Sequence, residues 1–237
     1  MNALNSMPSV KAGPDQIDQQ LLRWMESGRR IVHEADSKRI LAMAGLPVPG
    51  GPDDGRAVVK FCADDALHKS ELGLVALSVP VGDVPEQQRV LQDRARRAGL
   101  AGGEVLVESM VEGALMEWFV GCRTDATFGP VVVIGAGGIY AELLGAPEIR
   151  MAPLSSRDAE QALRSHKAFP IINGARGKEP ADIAEFAKLI SGISEFFYRR
   201  SHLVAELDLN PVMVCSRGAT PNLVIADASL ILQKRAE

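Results

Sequence analysis

Glu206, Asp208 and Asn210 alternate with Leu207 and Leu209 in the run Ala205-Glu206-Leu207-Asp208-Leu209-Asn210-Pro211-Val212-Met213-Val214. Side chains along a strand point to opposite faces in turn. Two carboxylates and a carboxamide therefore share one face, and the leucines share the other. Hard oxygen donors in that arrangement suit Mg²⁺, which often couples one or two protein ligands to nucleotide phosphates. The same alternation describes a half-exposed strand with a polar outer face, and spacing alone does not separate the two.

Other residues could serve such a site. Lys60 stands in the apolar run Ala57-Val58-Val59-Lys60-Phe61-Cys62. A lone ammonium is costly to bury, so it must find a partner. It could snorkel to solvent or meet a phosphate. Glu117 lies among apolar neighbours, and Asp227 ends the run Asn222-Leu223-Val224-Ile225-Ala226. Together these residues offer a cation for phosphates, a polar nucleotide contact and oxygen ligands for magnesium. Of the four histidines, His33, His166 and His202 fall at element ends and read as surface residues. His68 differs, lying in a loop-like segment beside Lys69 and Ser70. No Ser/His/Asp set with a recognisable local motif occurs, and no zinc-type His/Cys cluster.

The elements that must position these residues mix helix and strand without strict alternation, which reads as α+β. Residues 15–29 and 34–44 carry helical apolar stripes, the second ended by Gly45 with Pro47 and Pro49 beyond. Strands are expected at 56–62, 75–79, 104–111 and 114–122, with a helix at 84–98. Arg123 to Pro130 reads as a loop. Val131 to Ile134 reads as a buried strand, turning through Gly135-Ala136-Gly137-Gly138 into a return strand at 139–144 that carries Glu142. A helix at 155–165 is capped by Ser155 or Ser156. The longest helix, 180–200, starts at Pro180 and buries a stripe through Ile183, Phe186, Ile190, Ile193 and Phe197.

The 237 residues are 46% hydrophobic and 24% charged, enough for one large or two modest domains with a real core. A net charge of −4 gives no basic surface for nucleic acid or anionic lipid. Cys62, Cys122 and Cys215 have no disulfide or metal spacing and read as reduced thiols in a cytosolic core. No apolar run approaches the roughly 18 residues of a membrane span. The first residues, 1–14, read as a disordered tail without the basic-then-apolar order of a secretion signal.

A further set of motifs occurs in one order along the chain. They are Gly45-Leu46-Pro47-Val48-Pro49, Val58-Val59-Lys60, His68-Lys69-Ser70, and Arg123-Thr124-Asp125 with Phe128-Gly129-Pro130. Gly137-Gly138-Ile139 with Glu142, Pro153-Leu154, Gly174-Ala175-Arg176-Gly177 and Glu206 to Pro211 follow. Over about residues 34–232 this set resembles the ATP-grasp subunit of the ADP-forming (NDP-forming) acyl-CoA synthetases, relatives of the succinyl-CoA synthetase β subunit. The resemblance implies an ATP-grasp fold with ATP/ADP and Mg²⁺ between two subdomains. Residues 1–33 would be a tail and helix, 34–112 the smaller lid, and 113–237 the larger part.

Site roles follow from the same resemblance. Lys60 would contact ATP phosphates. The hinge strand from Glu108 to Val111, Met110 included, would meet the adenine, partly through backbone groups. Glu117 and Arg123 would complete the nucleotide pocket, and Asn210 and Asp227 would hold Mg²⁺. His68 would carry a phosphoryl group, with Glu206 and Asp208 orienting it or lying near the metal. The implied partner is a CoA-binding α-type subunit, and the implied substrates are a carboxylic acid and its acyl-CoA. The chain departs from the family pattern in three places. Only residues 50–55 fill the gap before the lysine strand, so the lid is shortened. Leu74 stands where a glycine is expected, and the usual Gly-Tyr-Pro before Lys60 is missing. A non-catalytic nucleotide-binding or scaffolding subunit and a stand-alone carboxylate–amine ligase are the competing readings.

Overall fold

The computed structural model describes residues 14–52, 55–65, 71–100, 102–138 and 144–234. His68, Glu142, most of the expected return strand at 139–144 and nearly all of the expected tail lie outside these residues. The described elements run α1 (Pro14–Glu26), β1 (Ile31–Val32), α2 (Glu34–Met43), β2 (Arg56–Cys62), β3 (Val75–Pro80), α3 (Val84–Arg97), β4 (Glu104–Ser109) and β5 (Met116–Asp125). They continue with β6 (Gly129–Ala136), β7 (Glu148–Met151), α4 (Ser156–Ser165), α5 (Phe169–Ile172), α6 (Ile183–Arg200), β8 (Val204–Val214), β9 (Leu223–Ile225) and β10 (Ser229–Leu232).

Two antiparallel sheets result. The larger has the order β1-β10-β8-β5-β6-β7, with β9 also paired to β8. The smaller has the order β3-β2-β4. The helix α6 lays its stripe of Phe186, Ile190, Ile193 and Phe197 into one core with Trp118, Leu207, Leu209 and Val212 from the large sheet. The Trp118 and Phe186 rings meet edge to face at 5.6 Å. A separate, smaller core packs α3 through Leu91 and Ala95 against Val59, Phe61, Leu74 and Val79. Among the described residues no helix is long and apolar enough to cross a membrane.

Several local expectations change once the chain is folded. The second helix was expected in the smaller part, but Ile40 and Leu41 of α2 are buried in the large core. The two cores therefore separate between α2 and β2, not at residue 34. Gly45 ends α2 with positive φ, and its N–H and that of Leu46 close on the carbonyls of Ala42 and Leu41 in a Schellman arrangement. The expected loop at 123–130 shrinks to a short turn, because β5 carries Arg123 as far as Asp125. The Asp125 carboxylate then accepts the N–H groups of Thr127 and Phe128 at 2.8 and 3.0 Å. The long helix begins at Ile183, capped by Asp182, whose carboxylate accepts the Glu185 N–H. His166 is buried rather than on the surface, its ring 5.1 Å from Trp118. All three cysteines are buried, and none is in a disulfide.

Candidate active site

The strand β8 places Leu207 and Leu209 in the core and leaves Glu206 and Asn210 exposed, with Asp208 half-buried. Its pairing is interrupted at one point. Between Trp118↔Val212 and Val120↔Leu209, one β5 residue, Phe119, opposes two β8 residues, Asn210 and Pro211. This is a β-bulge, and it sits where proline has no N–H to offer a ladder. On the other edge of β8, β10 pairs with residues up to Asp208 and β9 pairs from Val212 onward. The residues between those two strands, Ala226 to Ala228, arch across the bulge, held by the Ala226 N–H on the Pro211 carbonyl at 2.9 Å. A break in pairing on each side of one strand thus brings Asp227 to Asn210.

Asp208, Asn210 and Asp227 line one cleft of about 230 Å³ together with His33, Glu34 and Asp64. Burial first, then the charges of Glu206 and Asp227, push the Asp208 carboxyl up to about 6. A half-buried carboxyl raised in this way, beside a second carboxylate and a carboxamide oxygen, fits a divalent hard cation, because such an ion offsets the crowded negative charge and accepts those donors. Asn210 also lines a second cleft of about 380 Å³ with Glu117, Phe119, Gly137 and Gly138. Gly138 has φ of +59°, and a Cβ there would lie 2.5 Å from a Glu117 carboxylate oxygen. The left-handed backbone there favours glycine, and a side chain would push on the Glu117 carboxylate.

Lys60 finds the partner that its burial demands, and the partner is protein. Its ammonium donates to Glu34 Oε1 and, at 2.8 Å, to the Ala226 carbonyl, with Glu108 Oε2 at 3.5 Å. Burial opposes its charge, but Glu34, Glu108 and Asp227 outweigh that, so its pKa is raised and it stays an ammonium. Beside it lies Lys38, fully buried. Lys38 donates at 2.7 Å to Glu34 Oε1 and to both oxygens of Glu108, and at 2.8 Å to the Ala226 carbonyl. Sequence reading missed Glu34 and Lys38. On a helix they look like an ordinary exposed i,i+4 pair, and only the apolar residues around them hinted otherwise.

The structure therefore gathers Asp208, Asn210 and Asp227 at one cleft and links Glu117 to them through Asn210. Lys60 and Glu108 meet behind that cleft, at the junction of the two sheets. Arg123 and Glu206 stand opposite each other on the open face of the large sheet, two residue pairs beyond Gly121 and Asp208. Met110 lies just past β4, and its N–H is taken by the Arg56 carbonyl at 2.9 Å.

Comparison with known proteins adds to this geometry. The sequence profile of the ATP-grasp domain family matches residues 54–232. The β subunit of acetate–CoA ligase [ADP-forming] II from Pyrococcus furiosus is 30% identical over 88% of this chain and 94% of its own length. Acetate–CoA ligase [ADP-forming] I of Archaeoglobus fulgidus is 34% identical over 88% of this chain, but the match spans only 32% of that longer protein. Among solved structures, the dinucleotide-forming acetyl-coenzyme A synthetase 1 of Ca. Korarchaeum cryptofilum superposes with a TM-score of 0.77 at 27% identity, covering 92% of this chain and 100% of that one. That structure holds coenzyme A and Mg-AMPPCP, with a phosphohistidine segment pointing towards its nucleotide-binding site.

Proposed function

The chain belongs to the ATP-grasp family, to the branch that includes the β subunits of ADP-forming acyl-CoA ligases, and from that premise we propose how it works. It moves a phosphoryl group between ATP and an acyl phosphate through a phosphohistidine, and a separate CoA-binding α-type subunit forms the thioester. The observation that carries this reading is the meeting of Asp208, Asn210 and Asp227 in one cleft, with the Lys60 ammonium near enough for Asp227 to raise its pKa.

In this reading Asn210 and Asp227 hold the metal through their oxygens. Magnesium, when bound, would offset phosphate charge during a transfer that is mainly positioning and electrostatics. Lys60 faces the phosphates, and the segment from Glu108 to Met110 borders the adenine. Glu117 and Arg123 complete the nucleotide pocket. The lid is the three-stranded sheet with α3. An imidazole nitrogen of His68 attacks the terminal phosphorus of ATP, an N–P bond forms, and the P–O bond to ADP breaks. A carboxylate oxygen of the acid later takes the phosphoryl group, and the imidazole is restored. Glu206 and Asp208 orient the histidine. Such a reaction belongs in the cytoplasm, where ATP and CoA are available.

The test is incubation of the chain and its α-type partner with γ-labelled ATP and Mg²⁺, for wild type and His68→Ala. Acid-labile, base-stable label on the wild-type chain, absent from the variant, is the expected result. No label, together with no thermal stabilisation by ATP and Mg²⁺, would leave a scaffolding subunit as the better reading.

A further inference from the structure

Among the described residues, charged side chains crowd the contact between the two sheets around a small apolar cluster of Ala35, Cys62 and Leu106. Around that cluster, α2 contributes Glu34 and Lys38, and the small sheet contributes Lys60 and Glu108. On the outer side Arg29 pairs with Asp64 at 2.6 Å, and Arg39 pairs with Glu104. The Lys60 ammonium donates to Glu34 Oε1 and to the Ala226 carbonyl, and Glu108 Oε2 stands 3.5 Å from it as an ion-pair partner. An arriving phosphate oxygen competes for that ammonium with Glu34, its nearest anionic acceptor.

We infer that Glu34 is a positioning residue that competes with the nucleotide for Lys60, and that Lys38 makes the exchange possible. This rests on the reading of Lys60 as the lysine that faces the phosphates. Removing one partner from a buried ion pair is normally costly, because it strands the other charge. Here Glu34 keeps Lys38 at 2.7 Å after Lys60 leaves it, and Glu108 is held by Lys38 through both oxygens. No carboxylate is orphaned. Lys60 retains the Ala226 carbonyl, and the arriving phosphate replaces one anionic acceptor with another. Glu34 and Asp227 line the same cleft, so the displaced contact lies beside the residues that hold the metal.

Titration calorimetry of the full chain with Mg²⁺ and a non-hydrolysable ATP analogue tests this. Glu34→Gln should bind the analogue about tenfold tighter than wild type, the loss of one charge-assisted competitor. Glu108→Gln, whose carboxylate is farther from Lys60, should gain less. With the α-type partner added, Glu34→Gln should lower KM for ATP without raising kcat, a split that loss of packing alone does not produce. If the Gln variant does not fold, Glu34→Asp keeps the charge for Lys38 but draws it back from Lys60, and tighter binding is again expected. Unchanged or weaker binding in the folded Glu34 variant overturns the inference. Lys60→Met separates the two levels. If it binds the analogue as well as wild type does, the reading of Lys60 fails and the inference with it. If it loses binding while the Glu34 variant is unchanged, the competition alone is wrong.

Discussion

Phe186 and Lys38 are both fully buried, one in the core of the large sheet and the other at the junction of the two sheets. Around Phe186 the neighbours are apolar, among them Trp118, Ile190 and Leu207. Attraction there comes from many weak, non-directional contacts and from area removed from water. Around Lys38 there are four oxygen acceptors at 2.7–2.8 Å. Attraction there is strong but directional, and it is offset by the desolvation of every charge involved. An apolar core loses stability when any part of it moves. An ionic junction can change partners without loss, provided that the newcomer supplies an equivalent group. The large sheet is thus the rigid platform that carries Asp208 and Asn210, and the junction is where the molecule can rearrange around a ligand.

The hardest blow to this contrast would come from the large core. Phe186→Ala should cost about 3–5 kcal/mol of stability, since it removes a fully buried ring beside Trp118. Urea denaturation should show that loss in the unfolding of the large sheet. A smaller effect, and a sharper test, comes from the other core. Leu91→Ala should cost about 2–4 kcal/mol. Hydrogen exchange should then show β2, β3 and β4 losing protection while β5, β6 and β8 keep theirs. Equal loss in both sheets would mean that the junction couples them into one unit, and the contrast drawn above would fail.

The smallest expected effect concerns pH. Burial holds the His166 imidazole below its ordinary value of 6.5, with Glu148 pulling only weakly the other way. The unfolded chain therefore binds a proton that the folded chain refuses, so stability falls as pH drops below about that value and is complete above it. His166→Asn keeps an acceptor for the Ala168 N–H, which Nδ1 accepts at 3.1 Å in the wild type. Between pH 7.5 and 5.5 the variant should lose less stability than wild type in thermal unfolding. Some loss should remain, because burial also lowers the pKa of His33. An unchanged pH slope would show that His166 accepts its proton in the folded state.

Much of the architecture was legible because it is written in local periodicity. The stripe along residues 183–197, a capping serine at 155 or 156 and the alternation at 206–210 each need only a few consecutive side chains to declare themselves. The strands β1, β7 and β10 were not legible. They span two to four residues, too few for any period, and exist because a neighbour offers them an edge. His166 misread for a related reason: its sequence neighbours are polar, and its burial comes from Trp118, far away in the chain.

The sequence alone determined the faces of β8, because alternation follows from strand geometry whatever the strand pairs with. It also determined the longer helices, the end marked by Gly45, a cap at Ser155 or Ser156, and the order of motifs that identifies the family. The tertiary structure alone decided which charges meet. Asp227 reaches Asn210 because β9 and β10 share one edge of β8 and leave a gap at the bulge. Glu34, Lys38, Lys60 and Glu108 meet because a helix from one core abuts a sheet from the other. Those contacts join residues up to 188 positions apart, as Lys38 and Ala226 are. Electrostatic attraction depends on distance in space, and only the folded chain sets that distance.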